Sequence, residues 1–264
     1  MSSPSLNIIL FGETGAGKSS VINLIAGRKV ADVSPDLRGC TMSSTHYTFP
    51  IEGREFHIWD TVGLNELELR IRSFLFPIER SPELRADGYL SAIEKSFELI
   101  QQLSAQGGVD LLLFCMRGSR LTVTARNNYR LFYEVLCRSQ VPIALVITHL
   151  EGEVVMEDWW TRNGKDMERC GIKSAGHACV TARPGQEKYE LSQIAIKNLL
   201  AGYDGAKKYT IPSEAWFIQF LRAFGLFARS KGLRGKKLYE FLTRRCGLDA
   251  KAAEEIAKKM DTNA

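Results

Sequence analysis

A glycine-rich segment near the start of the chain carries the residue types that bind a polyphosphate. Residues 12–19 read G-E-T-G-A-G-K-S, which fits the pattern G-x-x-x-x-G-K-[ST]. Glycine lets a backbone curl closely enough for several N–H groups to converge on one anion. In this chemistry Lys18 spans the β- and γ-phosphates of a nucleotide, and the Ser19 hydroxyl binds Mg²⁺. The segment therefore predicts a nucleotide site that contains Gly12, Glu13, Thr14, Gly15, Ala16, Gly17, Lys18, Ser19 and Ser20.

The elements around this segment favour a phosphate site over a purely structural glycine turn. An apolar run before it predicts a strand, a helical stretch follows it, and two β-rich runs around Gly53 predict a hairpin. Strands are predicted at Leu6 to Phe11, His46 to Ile51, Glu55 to Asp60, Val109 to Met116, Val141 to Thr148 and His177 to Thr181. Helices are predicted at Lys18 to Ala26, Leu90 to Leu103, Ala125 to Arg138 and Glu187 to Leu200. This alternation predicts an α/β fold, the three-layer P-loop NTPase domain, with a mostly parallel sheet and one antiparallel edge strand.

A second motif follows the third predicted strand, where Asp60-Thr61-Val62-Gly63 matches the D-x-x-G pattern of GTPases. An aspartate at this point can hold a magnesium-bound water, and the Gly63 amide can contact a γ-phosphate. A simple turn would use the same residues, so the motif depends on its place at the end of a strand. It predicts Asp60 as a metal-site residue.

The fifth strand ends in Thr148-His149-Leu150-Glu151, where the usual guanine-reading motif is N/T-K-x-D. Glu151 can still accept hydrogen bonds from the N1–H and N2–H₂ groups of guanine, because it also ends in a carboxylate. The alternative is that His149 and Glu151 are ordinary loop residues. After the next strand, Thr181-Ala182-Arg183 resembles the S-A-K loop that supports the base, with Arg183 stacking in place of lysine.

These motifs together resemble the septin-like branch of GTPases, which includes the chloroplast outer-envelope import receptors and the immunity-associated (avirulence-induced) GTPases. The resemblance covers residues 6–203 and rests on ILFGETGAGKSSVINLIAG, on DTVGL and on the Thr-His pair, which the import receptors also carry. It implies a G domain that binds GTP or GDP with Mg²⁺. It also implies that Thr41 is a switch threonine that binds Mg²⁺ and the γ-phosphate; Ser43, Ser44 and Thr45 are the alternatives.

The resemblance also implies how hydrolysis is controlled. Many GTPases place a glutamine after D-x-x-G to orient the attacking water, whereas this chain has Leu64, so intrinsic turnover is expected to be slow. In the resembled family, G domains pair face to face and an arginine after the fourth strand reaches the partner's phosphates. Arg120 is the residue predicted for that role; the alternative is a solvated surface arginine.

The net charge of +5 is concentrated at the C-terminus, since residues 213–264 have 11 basic and 6 acidic residues and the remainder is neutral. This shift predicts a G domain at 1–212 and a small, basic, helical extension at 213–264. An apolar stripe that begins at Phe217 predicts packing on the G domain or within the extension. A basic helix lying on an anionic membrane, or against a protein partner, is the alternative.

The composition restricts which cellular compartment and which partners we expect. The six cysteines have no metal-binding spacing, and neither a leader segment nor a membrane span is recognisable, so we expect a cytoplasmic protein, with attachment to the surface of a membrane as the alternative. The basic patch is modest and carries no nucleic-acid-binding signature, so no nucleic-acid partner is expected. Two other functions stay open at this point. One is an ATPase or kinase on the same loop, and the other is a nucleotide-locked scaffold that hydrolyses almost nothing.

Overall fold

The computed structural model describes residues 5–32, 45–61, 96, 98–205, 208–210, 235–240 and 254. Several sequence predictions lie outside these residues: the switch threonine Thr41, the glycine Gly63, the apolar replacement Leu64 and the stripe that begins at Phe217. These predictions stay predictions. The phosphate loop, both base-reading segments and Arg120 are described.

The described residues form a six-stranded sheet in the order β2-β3-β1-β4-β5-β6. Only β2 and β3 pair in an antiparallel manner, and β2 is an edge strand, so the predicted mostly parallel sheet is confirmed. The turn between β2 and β3 contains Glu52 and Gly53, both with positive φ, as a tight two-residue hairpin requires. The strands are β1 (Leu6–Phe11), β2 (Thr45–Ile51), β3 (Arg54–Asp60), β4 (Leu111–Arg117), β5 (Ile143–Thr148) and β6 (Gly176–Cys179).

Helices cover both faces of this sheet. On one face, the side chains of Ile8 and Leu10 pack with those of α1 and α5; on the other, Ile9 and Phe11 pack with α2, α3 and α4. Because β1, β4 and β5 are covered on both sides, their sequences are continuous apolar runs rather than alternating ones. The helices are α1 (Lys18–Ala26), α2 (98–105), α3 (Val123–Tyr129), α4 (Asp158–Arg169) and α5 (Tyr189–Ala201), with α6 (Gly235–Glu240) in the basic tail.

One helical prediction is corrected, and one helix was missed. The helix predicted at Ala125 to Arg138 is an α-helix from Val123 to Tyr129 that continues as a π-helix, Arg130–Leu136. The helix α4 at Asp158–Arg169 was not predicted, because its sequence DWWTRNGKDMER is strongly polar and has few apolar residues to show a helical period. Only Trp159, Gly164 and Met167 are buried in it.

Residues 208–210 return the chain to the start of β4. Tyr209 pairs with Val109, and its hydroxyl donates to Leu136 O at 3.1 Å. Lys208 Nζ lies 3.7 Å from the buried carboxylate of Asp110. The boundary predicted at residue 212 follows directly after this attachment and remains a prediction. Among the described residues, no helix has both the length and the apolar character needed to cross a membrane.

Candidate nucleotide-binding site

The phosphate loop, residues 12–17, connects β1 to α1 and passes very close to β4. Gly12 has φ +155°, and a Cβ added there would lie 2.1 Å from Cys115 O, so no larger residue fits without moving the backbone. Gly17, directly before α1, has φ +91°, which is a left-handed conformation that glycine adopts at little cost. The motif therefore has glycine where contact and conformation both demand it.

Lys18 begins α1 and folds back over the phosphate loop. Its ammonium donates to Gly12 O at 3.2 Å and to Glu13 O at 3.3 Å. No side-chain cap closes the start of α1, so the N–H groups of its first turn remain available to an anion, as in other anion sites at helix starts. The hydroxyl of Thr14 is buried without a hydrogen-bond partner among the described residues. The loop thus combines a cation with unused donors.

Side chains from β4 and β5 bind the carbonyls on the other side of the phosphate loop. The Cys115 thiol and the Thr148 hydroxyl both donate to Ala16 O, at 3.1 and 2.7 Å, and Arg117 Nε donates to Gly15 O at 2.8 Å. Burial raises the pKa of Cys115 to about 12, so the thiol keeps its proton and remains a donor. These contacts fix the loop carbonyls towards the sheet.

The first segment predicted to read the base adjoins the phosphate loop. His149 has φ +61°, and its Nδ1 lies 2.8 Å from Thr148 Oγ1. Thr148 Oγ1 also lies 2.7 Å from Ala16 O and 3.2 Å from Met116 O. A hydroxyl that donates its single proton to one of these carbonyls can only accept from His149, which assigns a proton to Nδ1 and leaves Nε2 as an acceptor. Burial and then the Arg117 charge lower the pKa of His149, against the opposing effect of Glu151, so the ring is neutral near pH 7.

The second base-reading segment lies beside the first. Thr181 Oγ1 is 3.5 Å from Glu151 Oε2, at the limit of a hydrogen bond. The Thr181 N–H donates to Ser192 Oγ of α5, which in turn donates to Lys188 O. Thr181 and Ala182 are buried, whereas Arg183 is exposed. The structure therefore brings the two predicted segments together and leaves the Arg183 side chain accessible.

Two of the three predicted metal-site residues are described. Ser19 is in the first turn of α1, and Asp60 ends β3 opposite Leu10 of β1. Thr61 fixes the end of this strand, since its N–H and its hydroxyl both donate to Leu10 O at 3.0 Å. Hydroxyl and carboxylate oxygens are the ligands that Mg²⁺ prefers, and Mg²⁺ needs few protein ligands when phosphates supply others. This donor set fits a nucleotide-bound magnesium ion.

The structure shows contacts that the sequence reasoning did not predict. Arg117 touches the phosphate loop of its own chain. Arg120, which is predicted to reach the phosphates of a partner, is exposed and makes no hydrogen bond or ion pair to the described residues of that loop. The Thr122 hydroxyl donates to the Glu13 carboxylate at 2.7 Å. Arg117 ends a strand that finishes beside the loop, and Thr122 follows shortly after it, directly before a helix. This placement is the signal that could have identified them.

Comparison with known proteins agrees with this geometry. Residues 7–149, more than half of the chain, match the family described as 50S ribosome-binding GTPase. The chain belongs to this family. The assignment confirms the P-loop GTPase fold predicted from the sequence, while membership of the septin-like branch is not distinguished by it.

The proteins that resemble this chain match it over different lengths. The tRNA modification GTPase MnmE of Hamiltonella defensa is 25% identical over 98% of this chain, which spans 49% of that relative; MnmE of Burkholderia mallei matches over only 13% of its own length. Toc33 from Arabidopsis thaliana, solved with GDP and Mg²⁺, is 17% identical over 79% of this chain and 87% of its own, with a TM-score of 0.50. Era, solved with MgGDPNP and nucleotides 1506–1542 of 16S ribosomal RNA, is 13% identical over 99% and 88%, also with a TM-score of 0.50. At these identities the solved structures show the shared fold alone.

Proposed function

We propose that this chain binds GTP and GDP together with Mg²⁺ and hydrolyses GTP slowly as a regulatory switch. The observation that carries the proposal is the phosphate loop, in which Lys18 lies over Gly12 and Glu13 while Cys115, Arg117 and Thr148 fix the opposite side. The relatives named above are GTPases, and two structures of the same fold hold guanine nucleotides with magnesium.

In the proposed site, Lys18 neutralises the β- and γ-phosphates, and Ser19, Asp60 and the predicted Thr41 hold the metal. Bound Mg²⁺ neutralises charge that develops on the phosphates during hydrolysis. Glu151, supported by Thr181, accepts the two donors of guanine. The neutral His149 contacts the hydroxyl of Thr148, which in turn supports the phosphate loop. Thr181, Ala182 and Arg183 support the base.

We further propose that the GTP-bound chain pairs with a second copy across the nucleotide, as the resemblance to the septin-like branch implies. The segment between β4 and α3 supports this, because Arg120 and the neighbouring Val123, which is 78% exposed, form an accessible surface beside the phosphate loop. An arginine delivered by a partner can accelerate hydrolysis by roughly 10³- to 10⁵-fold. We expect a smaller effect here, because Leu64 leaves the water without its usual glutamine. The basic tail is proposed to contact a protein or the surface of a membrane. The expectation of no nucleic-acid partner stays a prediction.

Calorimetric titration with GTP, GDP and ATP tests the main proposal. We expect guanine nucleotides to bind at least ten-fold more tightly than ATP, a difference of about 1.4 kcal/mol. Lys18→Ala should abolish this binding, and Glu151→Ala should reduce the preference for guanine. Equal affinity for ATP would favour an ATPase or kinase, and tight GTP binding without measurable turnover would favour the nucleotide-locked scaffold.

A concentration series tests the pairing. Hydrolysis per molecule should rise between nanomolar and tens of micromolar protein, and Arg120→Ala should abolish that rise while sparing nucleotide affinity. Constant specific activity and a monomer in the presence of GTP would contradict the dimer. A separate activating protein would then be required.

A further inference from the structure

The segment from the last residue of β4 to the residue before α3, residues 117–122, is bound to the phosphate loop at both of its ends. At one end Arg117 Nε donates to Gly15 O at 2.8 Å. At the other end Thr122 Oγ1 donates to Glu13 Oε2 at 2.7 Å. Arg120 lies between these two anchors with its side chain exposed. The position of the phosphate loop therefore constrains the segment that carries Arg120.

Thr122 also makes a second hydrogen bond, which links this attachment to the first turn of α3. Its Oγ1 accepts a hydrogen bond from the Ala125 N–H at 2.9 Å, which is how a threonine caps the start of a helix. A hydroxyl has one proton and two lone pairs, so it can donate to Glu13 and accept from Ala125 at once. A displacement of the Glu13 carboxylate is consequently transmitted to the first turn of α3 as well as to the segment before it.

The charge of Glu13 explains why its position should depend on the nucleotide. Its carboxylate belongs to the loop that receives a polyphosphate, and like charges repel each other at short range. The hydrogen bond to Thr122 fixes the carboxylate on the α3 side of the loop. Binding of phosphates should strengthen this preference, because every rotamer that brings the carboxylate nearer to them becomes less favourable.

We propose that Thr122 is a positioning residue that acts through Glu13 to couple the filling of the phosphate loop to the placement of Arg120. The coupling to a second copy rests on the proposed function; the attachment of the two segments does not. Because such coupling is reciprocal, a partner that binds at Arg120 should tighten nucleotide binding by the same factor by which nucleotide tightens the pairing. Because the coupling runs through one hydrogen bond to a charged group, the energy of that bond limits the factor to about ten-fold.

Four single variants and one double variant separate this coupling from simple loss of structure. Thr122→Val removes the hydroxyl and keeps the branched shape, and Thr122→Ser restores a hydroxyl. Glu13→Ala removes the acceptor and leaves the bond between Thr122 and Ala125 intact, whereas Glu13→Gln keeps an acceptor oxygen. The double variant combines Thr122→Val with Glu13→Ala, so that the energy shared by the two residues can be measured as non-additivity.

The first measurement needs no nucleotide. The Ala16 N–H donates to Glu13 O at 3.1 Å within the phosphate loop, so its hydrogen exchange reports the order of the loop. We expect Thr122→Val and Glu13→Ala each to speed exchange of this amide by roughly three- to ten-fold, with the double variant no faster than the faster single one. Thr122→Ser and Glu13→Gln should exchange as the parent does. Parental exchange in Thr122→Val, or additive effects in the double variant, would overturn the inference.

The second measurement is turnover per molecule against protein concentration. We expect Thr122→Val and Glu13→Ala to reduce the concentration-dependent rise by about ten-fold, with Thr122→Ser close to the parent. A rise that Thr122→Val leaves unchanged would overturn the coupling to Arg120. A parent protein that binds no guanine nucleotide would refute the proposed function, while the exchange measurement would still decide whether Thr122 positions the loop.

Discussion

Replacing Gly12 by alanine is the sharpest test of how the phosphate loop is built. The added methyl group would lie 2.1 Å from Cys115 O and 3.1 Å from the carbonyl carbon of the same residue. Both atoms belong to the backbone of β4, the central strand between β1 and β5, and cannot move aside like the end of a flexible side chain. The clash must therefore be relieved by moving the phosphate loop or by separating β1 from β4.

The expected loss of stability depends on whether the phosphate loop or the sheet moves to relieve the clash. Inserting a methyl group into a packed site costs typically about 1–3 kcal/mol of unfolding free energy. The loop can relax more easily than the sheet, so part of the strain should appear as displaced N–H groups rather than as lost stability. We therefore expect Gly12→Ala to lower the free energy of unfolding by about 1–3 kcal/mol and to weaken GDP binding by more than about ten-fold.

Urea unfolding and titration with a fluorescent GDP analogue measure the two effects separately. Gly53→Ala is the matched control, because Gly53 has φ +73° but nothing lies within 4 Å of its added Cβ. Gly53→Ala should lower the free energy of unfolding by about 1–2 kcal/mol, because alanine is strained at this positive φ, and it should bind GDP as the parent does. If Gly12→Ala is as stable as the parent and binds GDP with parental affinity, the close approach of the loop to β4 is refuted.

Three further predictions concern groups around the site and the core. Arg117→Gln should raise the pKa of His149, measured by NMR titration, yet leave it below the usual 6.5, because burial is the larger cause of the lowered pKa. A histidine whose pKa is lowered by folding makes the folded state lose stability as the pH falls below about 6.5. His149→Gln should therefore reduce that loss of stability. Thr148→Val should cost about 1–3 kcal/mol in urea unfolding and weaken GDP binding, with Thr148→Ser retaining both, because the buried hydroxyl donates to Ala16 O. Asp110→Ala should cost about 2–3 kcal/mol and Asp110→Asn much less, because the buried Asp110 carboxylate accepts from the Asn7 N–H at 2.8 Å and an amide oxygen can still do so.

The sequence predicted the sheet well because its signals are local and strong. The runs that become β1, β4 and β5 are almost entirely apolar, and a strand covered on both faces needs that composition. The phosphate loop was predictable for a similar reason, since Gly12 and Gly17 are required by backbone contact and conformation. In contrast, α4 has a polar sequence with few buried positions, so periodicity could not reveal it.

The contacts between segments could not be predicted, because they depend on register across the sheet. Pairing of β4 with β1 and β5 places Arg117 opposite Thr148 and close to Gly15, a relation that no spacing along the chain encodes. Thr122 meets Glu13 although the two are separated by 109 residues. The prediction of Arg120 rests on family resemblance and concerns a partner's phosphates, so it stays a prediction, whereas the contact of Arg117 with the loop of its own chain had no signal in the spacing.

The base-reading motif shows which part of the site tolerates change. Within Thr148-His149-Leu150-Glu151, the residue that fits the usual pattern is Thr148, and its buried hydroxyl supports Ala16 of the phosphate loop. The two positions that depart from the pattern, His149 and Glu151, make no hydrogen bond to the described residues of that loop among the contacts found. A change at Thr148 is expected to disturb phosphate binding for any nucleotide, whereas changes at His149 and Glu151 are expected to act mainly on the proposed reading of the base. Departures from the GTPase pattern should therefore affect the preference for guanine and leave the affinity for the phosphates intact.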